Sequence, residues 1–381
     1  MLKLKGCVFC TLICFLMLTC NAVAYRDIID LGIQGYFRSD AVSINDNGQI
    51  VGFMVDSFGN NAQAVLFNST GEAAVSLSGN EYSNGAVSIN NSTEIVGNAE
   101  TSSGDQYACF FDPTGNGNNV NLGTLGGIQS GAESINDSGQ IVGWADNSFG
   151  YPRATIFDPT GSGENIDLGL LGGDRSWAHS INDNGQIVGS ARVVSGHDIA
   201  TLFDSTGNGN NINLGTLGGN QSGAYSINNS GQIVGCATHS LTSHSRHAVL
   251  FDPTGGGNNI DLGTLPGLEF SDSSSWAISI NDSGLIVGYV EYGPLFEDRV
   301  ATLFDITGSG NNIDLNTLID PSLGWSLRHA TDINNDGWIV GLGVNPDGEE
   351  HAFLLVPEPA TILLFALGGL TLLRKRRRAG L

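Results

Sequence analysis

The residues best placed to do chemistry in this sequence are acids in a turn. Asp332-Ile333-Asn334-Asn335-Asp336-Gly337 matches the opening of a calcium loop, with Asp332, Asn334 and Asp336 offering oxygens at alternate positions. Such a loop closes with a bidentate acid at its twelfth position, which here is Gly343, so a plain hairpin turn is the better reading. His239, His244 and His247 crowd one loop, but no cysteine or acid completes a transition-metal spacing. No Gly-x-Ser-x-Gly elbow supports nucleophilic catalysis. Paired carboxylates could cleave a glycosidic bond, yet acids are so numerous that none stands out as a pair. The expectation is a chain without a cofactor, calcium being the one ion its turns suit.

Recognition is the other chemistry on offer. Trp276 and Trp325 fall in or beside two long connections, with Phe270, Asp272 and Arg328 nearby. Trp177, preceded by Asp174 and Arg175, stands at the register of Trp276. Indole faces with polar neighbours suit sugars and protein surfaces, and loops carry function more often than their scaffold. A binding face centred on Trp276 and Trp325, with Trp177 at its rim and Asp272 and Arg328 beside it, is expected. Its rival is that these tryptophans only pack between structural units.

A repeat must position these groups. Ala178 to Gly189 reads AHSINDNGQIVG and recurs seven times, with its isoleucine at Ile44, Ile89, Ile135, Ile181, Ile227, Ile280 and Ile333. The spacings are 45, 46, 46, 46, 53 and 53 residues, in the range of solenoids and propellers. Alternation up to Ile181, the turn Asn182-Asp183-Asn184-Gly185 and the β-branched start Ile187-Val188 predict a hairpin. A third strand is expected at Ala200–Phe203 and a fourth at Ile212–Leu217. Four strands per repeat match one blade of a β-propeller. The chain enters with a fourth-strand sequence, Ile28 to Gly32, and leaves with a third strand, His351 to Leu355. Pairing them would complete blade seven and close the ring. The fold expected is therefore all-β, a seven-bladed propeller of four-stranded blades closed by its terminal strands. The two long connections, 18 residues each from Leu262 to Ile280 and from Leu315 to Ile333, would project from one face.

Charge is sharply partitioned. Lys3 and Lys5 lie at one end, Arg374, Lys375, Arg376, Arg377 and Arg378 at the other, leaving eight basic residues between them, all arginine. Of 38 acidic residues only Glu358 lies outside the body, so the body carries 8 basic against 37 acidic groups. Such a body repels phosphates, which argues against a nucleic-acid partner. Residues 1–24 read as a signal peptide, with an apolar run from Val8 to Leu18 and Ala22-Val23-Ala24 as the cleavage site. Residues 25–356 form the seven-repeat body. Residues 357–381 hold Pro357-Glu358-Pro359, an apolar segment at 360–373 and the basic tail. That segment is shorter than the roughly 20 residues of a spanning helix, and flanking residues with snorkelling bases would make up the length. Cys109 and Cys236, the only body cysteines, occupy different repeat positions and are not expected to pair.

Two resemblances follow. The tail resembles the PEP-CTERM protein-sorting signal through Pro357, Glu358 and Pro359, the short apolar segment and the arginine-rich end. This implies processing by an exosortase-type enzyme, a cell-surface or extracellular destination with the C-terminal segment in the membrane, and a link to exopolysaccharide or biofilm. The body resembles the extracellular HAF-repeat family through His351-Ala352-Phe353 and the Ser-Ile-Asn and Leu-Gly-Thr-Leu-Gly-Gly segments, a resemblance that implies no reaction. The expected function is a non-enzymatic binding or structural surface protein, partnered by exopolysaccharide or another surface protein. The alternative is a secreted polysaccharide hydrolase or lyase.

Overall fold

A computed structural model of the chain describes residues 25–56, 62–78, 82–241, 245–268, 273–293 and 298–358. The signal-peptide segment, Asp272, Pro359 and the apolar tail lie outside these residues. The described chain forms seven four-stranded antiparallel sheets arranged as the blades of a propeller. Blade four is typical: strands Gly172–Ile181, Ile187–Val193, Asp198–Phe203 and Ile212–Asn213 pair in sequence order. The first strands of successive blades touch one another around the ring and so line its axis. Blade seven is composite, with Tyr25–Asp30 as the outer strand against Glu350–Pro357. Ile28, Ile29 and Asp30 face Leu355, Leu354 and Phe353, and the Leu31 N–H donates to the Ala352 carbonyl at 3.0 Å. Ring closure is thus the pairing expected from the repeat phase.

The fourth strand is shorter than expected. Ile212–Asn213 is all that pairs. The Asn213 side chain accepts from the Gly215 N–H at 2.8 Å, and Gly215 turns the chain out of the ladder at φ +77°. After Asp314 the same region forms a 3-10 turn, Leu315–Leu318, and a second follows at Pro321–Leu323.

The repeat motif records two packing demands. In every blade the inner strand carries a β-bulge one residue before the Ser-Ile-Asn core. Ala178 pairs with Gly189 and Ser180 with Val188, which leaves His179 unpaired. The bulge pushes the Trp177 carbonyl onto the second strand, where a Cβ at Gly189 would lie 2.0 Å from it. Only glycine fits, which explains the glycine of Ile-Val-Gly in all seven copies. The other demand is met by Asn182. Its Oδ1 accepts from the Asn184 and Gln186 N–H groups, while its Nδ2 donates to Gln186 Oε1 and to the Asn228 carbonyl of the next blade. The same inter-blade bond repeats from Asn45 to Asn90 and onward until Asn334 donates to the Asn45 carbonyl. Seven buried amides form a closed ring, so the asparagine present in every copy is a blade-to-blade clasp. In the second copy Thr93 takes the turn position at φ +66° that glycine fills in the others.

Seven apolar clusters fill the gaps between neighbouring blades. One joins Val188, Ala200 and Leu214 of blade four to Ala224, Ile227, Ile233 and Phe251 of blade five. Cys109 and Cys236 are both buried and neither forms a disulfide.

Candidate functional site: the axial chamber

Because the bulge turns two adjacent residues inward, each inner strand contributes a pair of side chains to the axis. These pairs line an open chamber of about 320 Å³. One member of each pair is the serine of Ser-Ile-Asn. Ser134, Ser180 and Ser226 accept from the next blade's isoleucine N–H at 3.3–3.4 Å, which marks them as scaffold. In blade seven Asp332 replaces the serine. It accepts from the Ile44 and Ile333 N–H groups, both at 2.9 Å, and from Ser279 Oγ at 2.7 Å. Burial raises its carboxyl above the ordinary range. Of the calcium candidates, Asp332 thus faces the chamber, Asn334 belongs to the asparagine ring and Asp336 is exposed in the turn. Among the described residues, no three His, Cys, Asp or Glu side chains gather to hold a metal. His239 stacks on His247 at 4.5 Å, and His247 bonds Asp261 at 3.0 Å.

The other member of each pair, the bulge residue, breaks the seven-fold symmetry. Blades three, four and five present Glu133, His179 and Tyr225, whereas blades six, one and two present Ile278, Val42 and Val87, with Thr331 of blade seven between Ile278 and Val42. One wall is therefore polar, and the opposite wall is apolar except where blade seven places Thr331 and Asp332. Burial lifts the Glu133 carboxyl to about 7, opposed by a hydrogen bond from the Trp144 indole. Trp144 reaches the wall because the inner strand carries Gly131 there; a Cβ at Gly131 would lie 2.6 Å from Trp144 Nε1. Burial lowers His179 to about 4 and keeps it neutral. The Tyr225 hydroxyl lies 3.3 Å from Cys236 Sγ, and burial raises both groups.

Within electrostatic reach of Tyr225, the strands of blades six and seven carry an aromatic rim. Trp276 stacks on Tyr289 with centroids 4.8 Å apart and planes 20° from parallel, and Tyr289 meets His329 of blade seven at 4.8 Å. Arg299 lies 5.3 Å from the Tyr289 centroid and bonds His329 at 2.8 Å and Glu291 at 2.9 Å. Burial, then Arg299, Arg38 and Arg328, lower His329 to about 4.

The expected binding residues within the described chain lie on blade four, blade six and the connection into blade seven. Trp276 lies within a strand rather than a loop and joins the rim. Trp177 holds the equivalent place in blade four, opposite Ser190. Trp325 packs against the core around Leu315, Ile319 and Leu327, its ring lying over Gly343. Arg328 reaches Glu350 at 3.3 Å.

Glu133, Trp144, His179, Tyr225 and Tyr289 were not singled out by motif or loop length. Their signal is a variable column inside an otherwise constant motif. The residue before Ser-Ile-Asn runs Val, Val, Glu, His, Tyr, Ile, and Thr before Asp-Ile-Asn; the residue after Ile-Val-Gly runs Phe, Asn, Trp, Ser, Cys, Tyr, Leu.

Comparison with known proteins adds sorting and fold. Residues 355–378 match the PEP-CTERM protein-sorting motif. The motif marks an exported protein handled by an exosortase-type system, with a C-terminal anchor segment. Among the described residues no helix is long and apolar enough to cross a membrane. Pro357 ends the closing strand, opposite Tyr25, so the motif begins inside the fold. No curated protein matches the chain. Among solved structures, the β-propeller domain of the Trilobed protease from Pyrococcus furiosus is similar at 11% identity and TM-score 0.50, over 84% of this chain and 93% of that one. XC5397 from Xanthomonas campestris, a gluconolactonase, aligns at 10% identity and TM-score 0.44, over 89% of this chain and 96% of its own. TolB from Acinetobacter baumannii aligns at 15% identity and TM-score 0.44 over 60% of this chain, which spans 52% of the TolB chain.

Proposed function

We propose that this exported, exosortase-sorted propeller is a non-enzymatic cell-surface binding protein whose ligand, the end of a glycan chain, enters the axial chamber past the aromatic rim. The observation that carries the reading is the asymmetry of the chamber. The inward serine repeats in six blades, with Asp332 in the seventh, whereas the inward bulge residues divide into the polar wall of Glu133, His179 and Tyr225 and an opposite wall that is apolar but for Thr331. A purely structural ring has no use for that division. A volume of about 320 Å³ is at the small end of ligand sites, roughly 300–1,000 Å³. Membership of the HAF-repeat family, residues 1–24 as signal peptide, residues 360–373 as the membrane segment and association with exopolysaccharide or biofilm belong to the same proposal. Of the residues expected to bind, Trp276 is the one kept at the centre of the site.

A second reading has its own support. Glu133, protonated near neutral pH, is suited to act as general acid in a polysaccharide hydrolase or lyase. A glycan array with the full-length protein, run beside a reducing-end release assay, separates the two. Binding without product, weakened about 10-fold or more by Trp276→Ala at unchanged melting temperature, is the expected result. Product release abolished by Glu133→Gln establishes the enzyme instead. Loss of fold in Trp276→Ala with no change in affinity among folded molecules removes Trp276 from the site.

A further inference from the structure

We infer that Arg246 forms a carboxylate subsite at the upper rim of the chamber, and that the glycan proposed above is acidic, seating a uronate carboxylate there. This rests on the reading of the chamber as a binding site. Acids outnumber arginines 37 to 8 in the body, and other arginines at the blade ends sit with carboxylates. Arg192 pairs with Asp198 at 2.9 Å and Arg299 with Glu291 at 2.9 Å; Arg38 lies against Asp40. Arg246 does not. Its Nη2 donates to Gln221 Oε1 at 2.7 Å and its Nη1 reaches Cys236 Sγ at 3.9 Å. Cys236 in turn meets the Tyr225 hydroxyl. An amide, a thiol and a phenol are all neutral near pH 7. Among the described residues no carboxylate pairs with this guanidinium.

Burial of this half-buried charge carries a desolvation cost, which among the described residues is opposed by groups that are neutral near pH 7. With no anionic partner among the described residues, this guanidinium is a local site for an anion within a body that otherwise repels anions. The location fits. Arg246 pairs with Thr238 at the outer end of blade five, above Tyr225, which lines the chamber. Cys236 and Arg246 lie within electrostatic reach of Tyr289, which links the subsite to the Trp276 stack. A planar guanidinium for a carboxylate beside aromatic faces for a pyranose ring is the combination a uronate requires. A free peptide C-terminus shares the carboxylate but has no ring for the stack.

The test is calorimetric titration of the full-length protein with uronic-acid oligosaccharides: oligogalacturonate, oligomannuronate and hyaluronan fragments. Each is compared with the same sugar after reduction of its carboxyls to neutral alcohols. At least one acid is expected to bind about 10-fold or more tightly than its reduced counterpart. Arg246→Gln should abolish that difference and Arg246→Lys retain part of it. Should both variants fail to fold, the wild-type comparison of each acid with its reduced twin decides alone. Equal affinity for acid and reduced sugar removes the subsite and leaves the chamber a neutral-glycan site. Binding of neither set overturns the subsite and the chamber reading together, and preferential binding of tripeptides with a free α-carboxylate replaces the glycan by a protein partner.

Discussion

Single residues in the chamber carry opposite pH dependences. Burial raises the Glu133 carboxyl from its ordinary 4.5 to about 7, so the folded state holds a proton that the unfolded chain has released. Stability contributed by that proton is present below about pH 4.5 and is lost as pH rises to 7. His179 acts in the other sense. Lowered from 6.5 to about 4, it stays neutral in the fold while the unfolded chain takes up a proton, so stability is lost as pH falls from 6.5 to 4. The two partly cancel in the native protein, and Glu133→Gln exposes the balance. Its melting temperature relative to wild type should climb steadily between pH 4.5 and 7. A difference that stays flat across that range would place Glu133 in ordinary solvent rather than buried in the chamber wall.

Elements show how far sequence alone reaches. The hairpin of Ala178 to Gly189 was legible because its turn residues and its β-branched strand each have a local physical cause. Ring closure was legible from phase, an orphan fourth strand at Ile28 and an orphan third strand at Ala352. The bulge was not. Whether His179 faces a neighbour or the axis depends on one unpaired residue in a ladder, and alternation cannot register a one-residue slip. For that reason Trp276 was assigned to a loop-borne face when it sits in a strand, and Glu133 passed as one acid among many. Trp325 looked equivalent to Trp276 by insertion length but packs on the first of the two 3-10 turns in its connection. The closing strand itself is open to test. Deleting residues 25–32 removes buried Tyr25 and Leu31 and the ladder to Glu350–Pro357. Thermal denaturation should show a melting temperature lower by on the order of 10 °C. An unchanged transition would mean that the ring holds without this strand.

At the scale of the whole molecule, fold and sorting meet at one point. Pro357 is buried against Tyr25 and also opens the Pro-Glu-Pro of the tail. Glu358→Ala should leave the propeller folded and block processing, with unprocessed chain accumulating at the cytoplasmic membrane in a host that has a matching exosortase. Normal processing of that variant, followed by immunoblot of membrane and medium, would detach Glu358 from the signal. The composite blade has a further consequence in time. Asp30 and His351, which bond across it at 2.8 Å, are 321 residues apart. Synthesis runs from the N-terminus, so the first strand made waits unpaired for the last. A chain truncated anywhere before Glu350 keeps two open sheet edges, a ready target for proteases and for aggregation. It also lacks the sorting tail. Ring closure and the sorting motif thus depend on the same last stretch of chain, and a chain cut before Glu350 has neither.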